Sequence, residues 1–282
     1  MSRTPDAGVS SDAPGEPSGP SRQAVPPPSR TGSESRAGPS ADDLKRESGT
    51  RAAELVESGM RLGLGTGSTV AFFLQALGRR LSQGEVEDIV GVPTSIRTQK
   101  AAEALGIPIG SLARLATLDL VVDGADEVDP SLDLIKGLGG ALLREKMVAQ
   151  AGRRFVVIAD ERKLVSRLGQ KTPLPVEVVP FEYEAHLGWL VDLGCEASLR
   201  VDSEGSPYVT DNGNLIIHCI FPAGIPDPIR LETALRERAG VVESGLFLGL
   251  ATDALIAGVD GLRVLQRGAA TEPARPPSGP EA

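Results

Sequence analysis

The stretch Met60–Thr69, MRLGLGTGST, passes from a short apolar segment through a glycine-rich loop to the start of a helix. A strand is predicted over Met60–Leu64, and a helix over Val70–Leu81, where apolar residues recur at helical spacing. Glycines let such a loop turn tightly, and the first N–H groups of the helix are available to an anion. The stretch therefore predicts a strand–loop–helix unit that binds a phosphate or a carboxylate.

Similar units follow along the chain. Predicted strands at 88–92, 118–122 and 155–159 alternate with predicted helices at 98–105 and 142–151. Apolar strands that alternate with helices are typical of parallel βαβ units whose sheet is covered on both faces. The predicted fold class is therefore α/β, with a doubly wound, mostly parallel, Rossmann-like sheet. In such sheets ligands bind beyond the carboxyl ends of the strands.

The alternation changes near Pro173. Longer strands around the turn Asp211–Asn214 and a helix at 229–238 predict a smaller α+β domain, inserted before the chain returns to the first sheet. A further helix is predicted near the start of the folded part, at 45–58. The predicted organisation is a disordered tail at 1–40, the α/β domain at 41–172 with its completion at 243–266, the small domain at 173–242 and a disordered tail at 267–282.

The tails are assigned from composition. Residues 1–40 contain no Leu, Ile, Phe, Tyr or Trp and are rich in Ser, Pro and Gly, so they lack the apolar surface that offsets ordering entropy. Their four arginines are matched by four acidic residues, and no apolar stretch resembles a secretory signal. We therefore expect no targeting peptide in this segment.

Charge and composition argue against several classes of function. With 29 basic and 38 acidic residues, the net charge of −9 at pH 7 opposes general binding to nucleic acids, which requires a basic face. No apolar run approaches the roughly 20 residues of a membrane-spanning helix. The two cysteines, Cys195 and Cys219, are too few for a disulfide scaffold. We expect a cytoplasmic protein without nucleic-acid or membrane partners, in which a local pocket still binds an anionic small molecule.

Four segments beyond predicted strands carry residues suited to chemistry: Gly63–Thr69, Asp123–Glu127, Lys136–Lys146 and Asp160–Lys163. The first adds hydroxyl groups to its N–H groups, and the alternative interpretation is a turn with a simple N-cap. A dinucleotide fingerprint would need a third glycine at Ser68, and a Walker loop would need Gly-Lys-Ser/Thr. Neither pattern is present in this loop.

Three carboxylates lie within the five residues of Asp123–Glu127. They are suited to binding sugar hydroxyls or a metal ion, and a solvated acidic turn is the third interpretation. Metal sites usually include histidines, but His186 and His218 both lie in the second half of the chain. With two lysines and a carboxylate from the remaining segments, the four segments together suit proton transfer on a phosphorylated sugar.

In order and spacing, these motifs resemble those of the ribose-5-phosphate isomerase A family. The resemblance covers about residues 44–266 and rests on Gly65–Thr69, Asp123–Glu127, Leu142–Lys146, Pro173–Val178, Thr210–Asn214 and Gly245–Leu250. It implies an aldose–ketose isomerase of the non-oxidative pentose phosphate pathway that interconverts D-ribose 5-phosphate and D-ribulose 5-phosphate through an enediolate. It also implies no metal, no organic cofactor, and a homodimer or larger homo-oligomer.

The resemblance further implies roles for individual residues. Glu145 would move a proton between C1 and C2, and Lys136 would stabilise the developing negative oxygen. Asp123 and Asp126 would bind hydroxyls and assist ring opening, while Lys163 and the hydroxyl loop would bind the phosphate. The implied substrate-binding residues are Thr66, Gly67, Ser68, Thr69, Asp123, Gly124, Ala125, Asp126, Lys136, Gly137, Leu138, Gly139 and Lys163.

One residue departs from the family pattern. Leu138 stands between Gly137 and Gly139, where the family has a run of glycines. If this position needs a positive φ or lies against the substrate, a leucine strains the loop or crowds the site. We therefore expect altered affinity or rate.

Other functions share the predicted architecture, because a fold does not settle a reaction. A non-catalytic sugar-phosphate-binding regulator would keep the anion loop without needing Glu145 and Lys136 together. Another sugar-phosphate isomerase or deaminase of the same fold is a second alternative. A nicotinamide-dependent dehydrogenase would need a complete glycine fingerprint, which the loop lacks.

Overall fold

The computed structural model describes residues 38–268. Of the predicted tails at 1–40 and 267–282, the parts at 1–37 and 269–282 therefore lie outside the described residues. The helices are α1 (Ala41–Ala53), α2 (Ser68–Ser82), α3 (Ile96–Ala104), α4 (Leu112–Leu115), α5 (Leu142–Gln150), α6 (Glu184–Asp192) and α7 (Pro228–Glu237), with a 3-10 turn at Glu161–Lys163. The strands are β1 (Arg61–Leu64), β2 (Val90–Pro93), β3 (Leu120–Gly124), β4 (Glu127–Val128), β5 (Leu134–Ile135), β6 (Phe155–Asp160), β7 (Leu174–Val178), β8 (Glu196–Leu199), β9 (Leu215–Ile220), β10 (Val241–Ser244), β11 (Leu246–Phe247), β12 (Asp253–Gly258) and β13 (Gly261–Gln266).

A six-stranded sheet in the order β13-β12-β6-β3-β1-β2 forms the centre of the fold. Its strands are parallel except β13, which pairs antiparallel with β12. Strands β6 and β12 are buried along their whole length, since helices and loops cover both faces of the sheet. The predicted α/β class with a mostly parallel, doubly wound sheet is confirmed.

A smaller antiparallel sheet, in the order β10-β7-β9-β8, packs with α6 and α7 around its own apolar cluster. A third sheet consists of the short strands β11, β5 and β4. Strand β10 crosses the predicted domain boundary at 242/243, and the division of the chain into domains stays a prediction.

Several elements begin a few residues from the start that the sequence pattern predicts. Helix α1 begins at Ala41 rather than residue 45, because Ser40 and Asp43 cap it reciprocally through side-chain and backbone hydrogen bonds. The predicted turn at Asp211–Asn214 is present, and the Thr210 N–H donates to the Asn214 carbonyl across it. Strand β9 begins directly after this turn, at Leu215, whereas Val209 on the other side forms only an isolated bridge to Leu215.

The strand order brings three of the predicted segments together. Strands β6, β3 and β1 are neighbours in the sheet, so their carboxyl ends meet at one edge. The segments that follow them are Asp160–Lys163, Asp123–Glu127 and Gly65–Thr69. Within residues 38–268, no helix combines the length and apolar character needed to cross a bilayer.

Candidate active site

A cavity of about 510 Å³ opens at the carboxyl ends of β1, β3 and β6. Twelve of the fourteen site residues predicted from the sequence line it: Thr66, Gly67, Ser68, Thr69, Gly124, Ala125, Asp126, Lys136, Gly137, Gly139, Glu145 and Lys163. The other two, Asp123 and Leu138, are not part of the lining, but each contacts a lining residue.

The loop between β1 and α2 leaves the start of that helix open. Gly67 precedes α2 with a φ of 127°, a backbone conformation that a side chain would strain. No side chain caps α2, so a simple N-cap turn does not describe this loop. The N–H groups of the first helical turn therefore remain available to an anion, and the helix dipole favours one.

A cluster of buried hydroxyl groups holds this loop from below. Oγ1 of Thr66 lies 2.7 Å from that of Thr94, 2.9 Å from Oγ of Ser95 and 3.1 Å from Oγ1 of Thr98. Thr98 also donates to the carbonyl of Gly65 at 2.8 Å. The sequence analysis missed this cluster, although a Ser-x-x-Thr pattern at a helix start after a predicted strand was the available signal.

Asp123, at the end of β3, connects the loop to the charged centre. Its carboxylate accepts from the Thr66 N–H at 3.0 Å and from the Gly124 N–H at 2.7 Å. The same carboxylate lies 3.0 Å from Nζ of Lys136. Gly65 has to be a glycine here, because an added Cβ would collide with the Asp123 carboxylate. Asp123 thus fixes both a binding loop and a cation.

Lys136 and Glu145 face each other at the base of the cavity. Lys136 follows β5 directly, and Glu145 lies in the first turn of α5. Nζ of Lys136 donates to the Gly124 carbonyl at 2.6 Å and lies 3.5 Å from Oε2 of Glu145. Both residues are at most 3% exposed. Among the described residues, Oε2 of Glu145 has no hydrogen-bond partner.

Burial dominates the electrostatics of this centre. It raises the pKa of Glu145 to about 8, an effect that nearby Asp123 and Asp126 reinforce and Lys136 opposes. Burial also raises the pKa of Asp123, against the effect of the Lys136 ammonium. Burial disfavours the charge on Lys136, but the carboxylates of Asp123 and Glu145 outweigh it and raise the lysine's pKa. Lys136 is therefore a cation, and Glu145 is a carboxyl group that gains and loses a proton near neutral pH.

The glycine loop accommodates Leu138 without backbone strain. Gly137 and Gly140 have φ values of 103° and 86°, whereas Leu138 is not among the described residues with positive φ. Its N–H donates to Oδ2 of Asp126 at 3.0 Å, and its half-buried side chain is not part of the cavity lining. The strain considered for a leucine at this position is therefore absent from the loop.

Several cations besides Lys136 line the cavity. Lys163 and Lys45 line it, and within the described part of the chain Lys163 has no ion-pair partner within 4.0 Å. Arg162 also lines the cavity, but its guanidinium bonds Asp160 at 2.6 and 2.9 Å. Sequence reasoning missed Lys45, because it lies on α1, which precedes the first strand and shares no motif with the other loops.

The histidines and cysteines lie elsewhere. Neither His186 nor His218 lines the cavity. Cys195 and Cys219 are free thiols buried in the apolar cluster of the small sheet. None of these four residues therefore belongs to the cavity lining.

Comparison with known proteins assigns this architecture to a family. The sequence model of the family ribose 5-phosphate isomerase A (phosphoriboisomerase A) matches residues 90–261. The chain belongs to this family. It is 53% identical over 222 residues to ribose-5-phosphate isomerase A of Roseiflexus castenholzii, covering 79% of this chain and 94% of the relative. It is 51% identical over 233 residues to the probable chloroplastic ribose-5-phosphate isomerase 3 of Arabidopsis thaliana, covering 81% and 84%.

Solved structures of the ribose-5-phosphate isomerase A family share the fold. The chain superimposes with a TM-score of 0.79 and 42% identity on a D-ribose-5-phosphate isomerase in complex with phospho-erythronic acid, covering 81% of this chain and 100% of the other. Ribose 5-phosphate isomerase A of Methanocaldococcus jannaschii gives a TM-score of 0.76 at 40% identity, covering 80% and 100%. The family similarity therefore spans both the six-stranded sheet and the smaller antiparallel one.

Proposed function

We propose that this chain interconverts D-ribose 5-phosphate and D-ribulose 5-phosphate, an aldose–ketose isomerisation of the non-oxidative pentose phosphate pathway. Membership of the ribose-5-phosphate isomerase A family supports the reaction. The observation that carries the mechanism is the buried Glu145 carboxyl facing the Lys136 ammonium inside the cavity. Proton transfer at a carbon beside a carbonyl needs a base and a cation arranged in this way.

Glu145 acts as the base. The reaction removes a proton from C2 of the open-chain aldose and returns one to C1, with an enediolate between the two steps. The proton of the C2 hydroxyl passes to the oxygen at C1, so that the carbonyl group ends at C2. A carboxyl group whose pKa is raised to about 8 by burial is more basic than an ordinary glutamate. Oxygen Oε2, without a hydrogen-bond partner among the described residues, supplies the free lone pair.

Lys136 stabilises the negative oxygen that forms as the proton leaves. Its ammonium is held by Asp123 and by the Gly124 carbonyl, so it needs little reorganisation during the reaction. By analogy with the removal of one oxyanion donor, such a preorganised cation contributes about 3–4 kcal/mol to catalysis. Asp126 lines the cavity, where it binds hydroxyls and assists ring opening. Asp123 lies outside the lining, so its placement does not fit the expected hydroxyl binding, and it acts instead by holding Lys136 and the Thr66 N–H.

The phosphate binds at the end of the cavity formed by the start of α2 and Lys163. The free N–H groups and hydroxyls of Gly67–Thr69 provide donors, and the lysine provides charge. Lys45 adds a second cation to the same lining. A relative was solved in complex with phospho-erythronic acid, which supports a phosphorylated sugar derivative as the ligand of this cavity.

A non-catalytic sugar-phosphate-binding regulator explains the site less well. Burying Lys136 with two carboxylates costs desolvation energy, and binding alone does not require that arrangement. Enzymes use such perturbed groups for proton transfer. The isomerase is therefore the function that the geometry favours.

We also propose a homodimer or larger homo-oligomer in the cytoplasm, with residues 173–242 as a distinct small domain. Exposed apolar side chains on this domain, including Val201, Val209 and Ile220, support self-association, and two free thiols suit a reducing compartment. Sedimentation velocity, cell fractionation and limited proteolysis test these three points. A monomer, an organellar location or cleavage that ignores the predicted boundaries contradicts them, respectively.

Turnover of ribose 5-phosphate after dialysis against EDTA tests the proposed function. Retained conversion to ribulose 5-phosphate, followed by NMR, is the expected result. Binding of the sugar phosphate without conversion favours the regulator, and absence of both binding and conversion contradicts the proposal.

A further inference from the structure

Glu127 has no role in the reaction described above, yet its side chain is completely buried. It directly follows Asp126 in the sequence. Its carboxylate accepts three short hydrogen bonds from backbone N–H groups of one segment, Gly169–Thr172, named here the wall segment. The distances are 2.6 Å from Gly169, 2.6 Å from Lys171 and 2.7 Å from Thr172. Charge-assisted bonds of this length are strong and leave the segment little freedom.

The wall segment borders the substrate cavity. Lys171 and Thr172 both belong to the cavity lining, on the side that also carries Lys163. Nζ of Lys171 donates to the carbonyls of Arg162 and Leu164, at 2.7 and 2.8 Å. The lysine thereby ties the wall segment to the residues on either side of Lys163.

Strand β4 supports the same region through its backbone. The Val128 carbonyl accepts from the Val165 N–H at 3.0 Å, two residues beyond Lys163. Asp126, the residue before Glu127, lines the cavity and accepts a hydrogen bond from the Leu138 N–H. Successive residues of an extended segment point to opposite sides, so Asp126 serves the glycine loop while Glu127 serves the wall segment.

We propose that Glu127 is a positioning residue for the phosphate end of the cavity. It holds the wall segment, and through Lys171 the stretch that carries Lys163, in the geometry that binds the phosphorylated end of the substrate. This inference rests on the proposed function, because it names the substrate end that the wall segment serves. An ionised carboxylate only accepts hydrogen bonds, so it satisfies three N–H donors, whereas the amide of a glutamine turns donors toward at least one of them.

The test is steady-state kinetics of Glu127→Gln beside Glu161→Gln. Glu161 is the matched control because it lies in the same 3-10 turn as Lys163 but accepts from the Val259 N–H and is not part of the cavity lining. We expect Glu127→Gln to raise KM for ribose 5-phosphate about tenfold, while kcat stays within about threefold of the parent and the pH profile is unchanged. Such a result means that the ground state and the transition state lose the same binding interaction. Glu161→Gln should leave KM within about twofold.

A fall in kcat at unchanged KM, or no change in either, overturns the proposal. If Glu127→Gln does not fold, Lys171→Met decides the question, since it removes two contacts of an exposed side chain. That variant should raise KM by about threefold or more, and an unchanged KM overturns the proposal.

Calorimetric binding of inorganic phosphate separates this inference from the proposed function. An inactive parent contradicts the isomerase assignment. Even if the parent is inactive, weaker phosphate binding by Glu127→Gln than by Glu161→Gln supports the positioning role. Equal phosphate binding by the two variants overturns it.

Discussion

Nζ of Lys136 lies 3.5 Å from Oε2 of Glu145, a distance too long for a well-formed hydrogen bond. The same nitrogen lies 3.0 Å from Asp123 and 2.6 Å from the Gly124 carbonyl. The cation is thus held mainly by groups other than Glu145, the residue that we propose as the base. Oε2 of Glu145 lies within the field of the cation and has no hydrogen-bond partner among the described residues.

The rate should depend on the ionisation of Glu145. Burial raises its pKa to about 8, and only the carboxylate accepts a proton from carbon. We expect kcat/KM for ribose 5-phosphate to rise about tenfold per pH unit below pH 8 and to level off above it. Initial rates between pH 5.5 and 9.5 check this. A profile that is flat across this range contradicts the raised pKa.

The raised pKa of Glu145 should also make the unfolding free energy of the protein fall as the pH rises. Its pKa is raised to about 8 in the folded protein, above the value of 4.5 of an ordinary glutamate, so the folded state binds more protons between these values. Stability is therefore lost as the pH rises from about 4.5 to 8. Relative to the parent, Glu145→Gln should gain about 2–4 kcal/mol in unfolding free energy between pH 5 and pH 8.

Urea denaturation of both proteins at the two pH values measures this gain. Glu103→Gln is the control, because Glu103 is exposed on α3 and its side chain bonds only Gln99 among the described residues. An equal pH dependence of the parent and Glu145→Gln contradicts the linkage.

Replacing Lys136 by methionine should damage both rate and stability. The enediolate loses its cation, which lowers kcat about 100- to 1000-fold. Asp123 loses its buried ionic partner, and breaking such a pair costs about 3–5 kcal/mol. Steady-state kinetics measures the effect on kcat, and thermal unfolding measures the effect on stability. A variant that keeps more than about a tenth of the parental kcat rules out this role for the lysine.

The glycine loop should tolerate glycine at Leu138 and reject alanine at Gly137. Leu138 has no positive φ and lies outside the cavity lining, so Leu138→Gly should leave KM within about twofold. Gly137 has a φ of 103°, and an added Cβ would lie 2.5 Å from Cβ of Leu142 at the start of α5. Gly137→Ala should therefore cost about 2 kcal/mol or more of stability.

Kinetics and chemical denaturation of these two variants check the prediction. A large change of KM in Leu138→Gly would show that the leucine contributes to substrate binding. A fully stable Gly137→Ala would show that the loop has another conformation open to it.

Much of the fold was readable from local pattern. Buried parallel strands such as β6 form unbroken apolar runs, and the glycine loop at Gly65–Thr69 signals the first strand-to-helix turn. Since parallel strands share one carboxyl edge, the predicted segments converge once the strand order is known. The family resemblance added the individual roles, which local pattern does not supply.

The missing parts depend on tertiary contacts. Lys45 reaches the cavity from α1, and Lys171 from a loop without a strand motif. Strands β4, β5 and β11 are two residues long, too short for a periodic signal, yet β5 places Lys136. The support that Glu127 gives the wall segment spans more than forty residues of sequence and has no local signature.

The central claim is that Glu145 moves the proton between C1 and C2. The most direct measurement is turnover of ribose 5-phosphate carrying deuterium at C2 by the parent and by Glu145→Gln, with the label followed by NMR. The account predicts deuterium partly retained at C1 of the parent's product, and a kcat lowered about 100- to 10,000-fold in the variant at near-unchanged sugar-phosphate affinity. A Glu145→Gln variant that binds the substrate and turns it over at a rate near the parent's would contradict it.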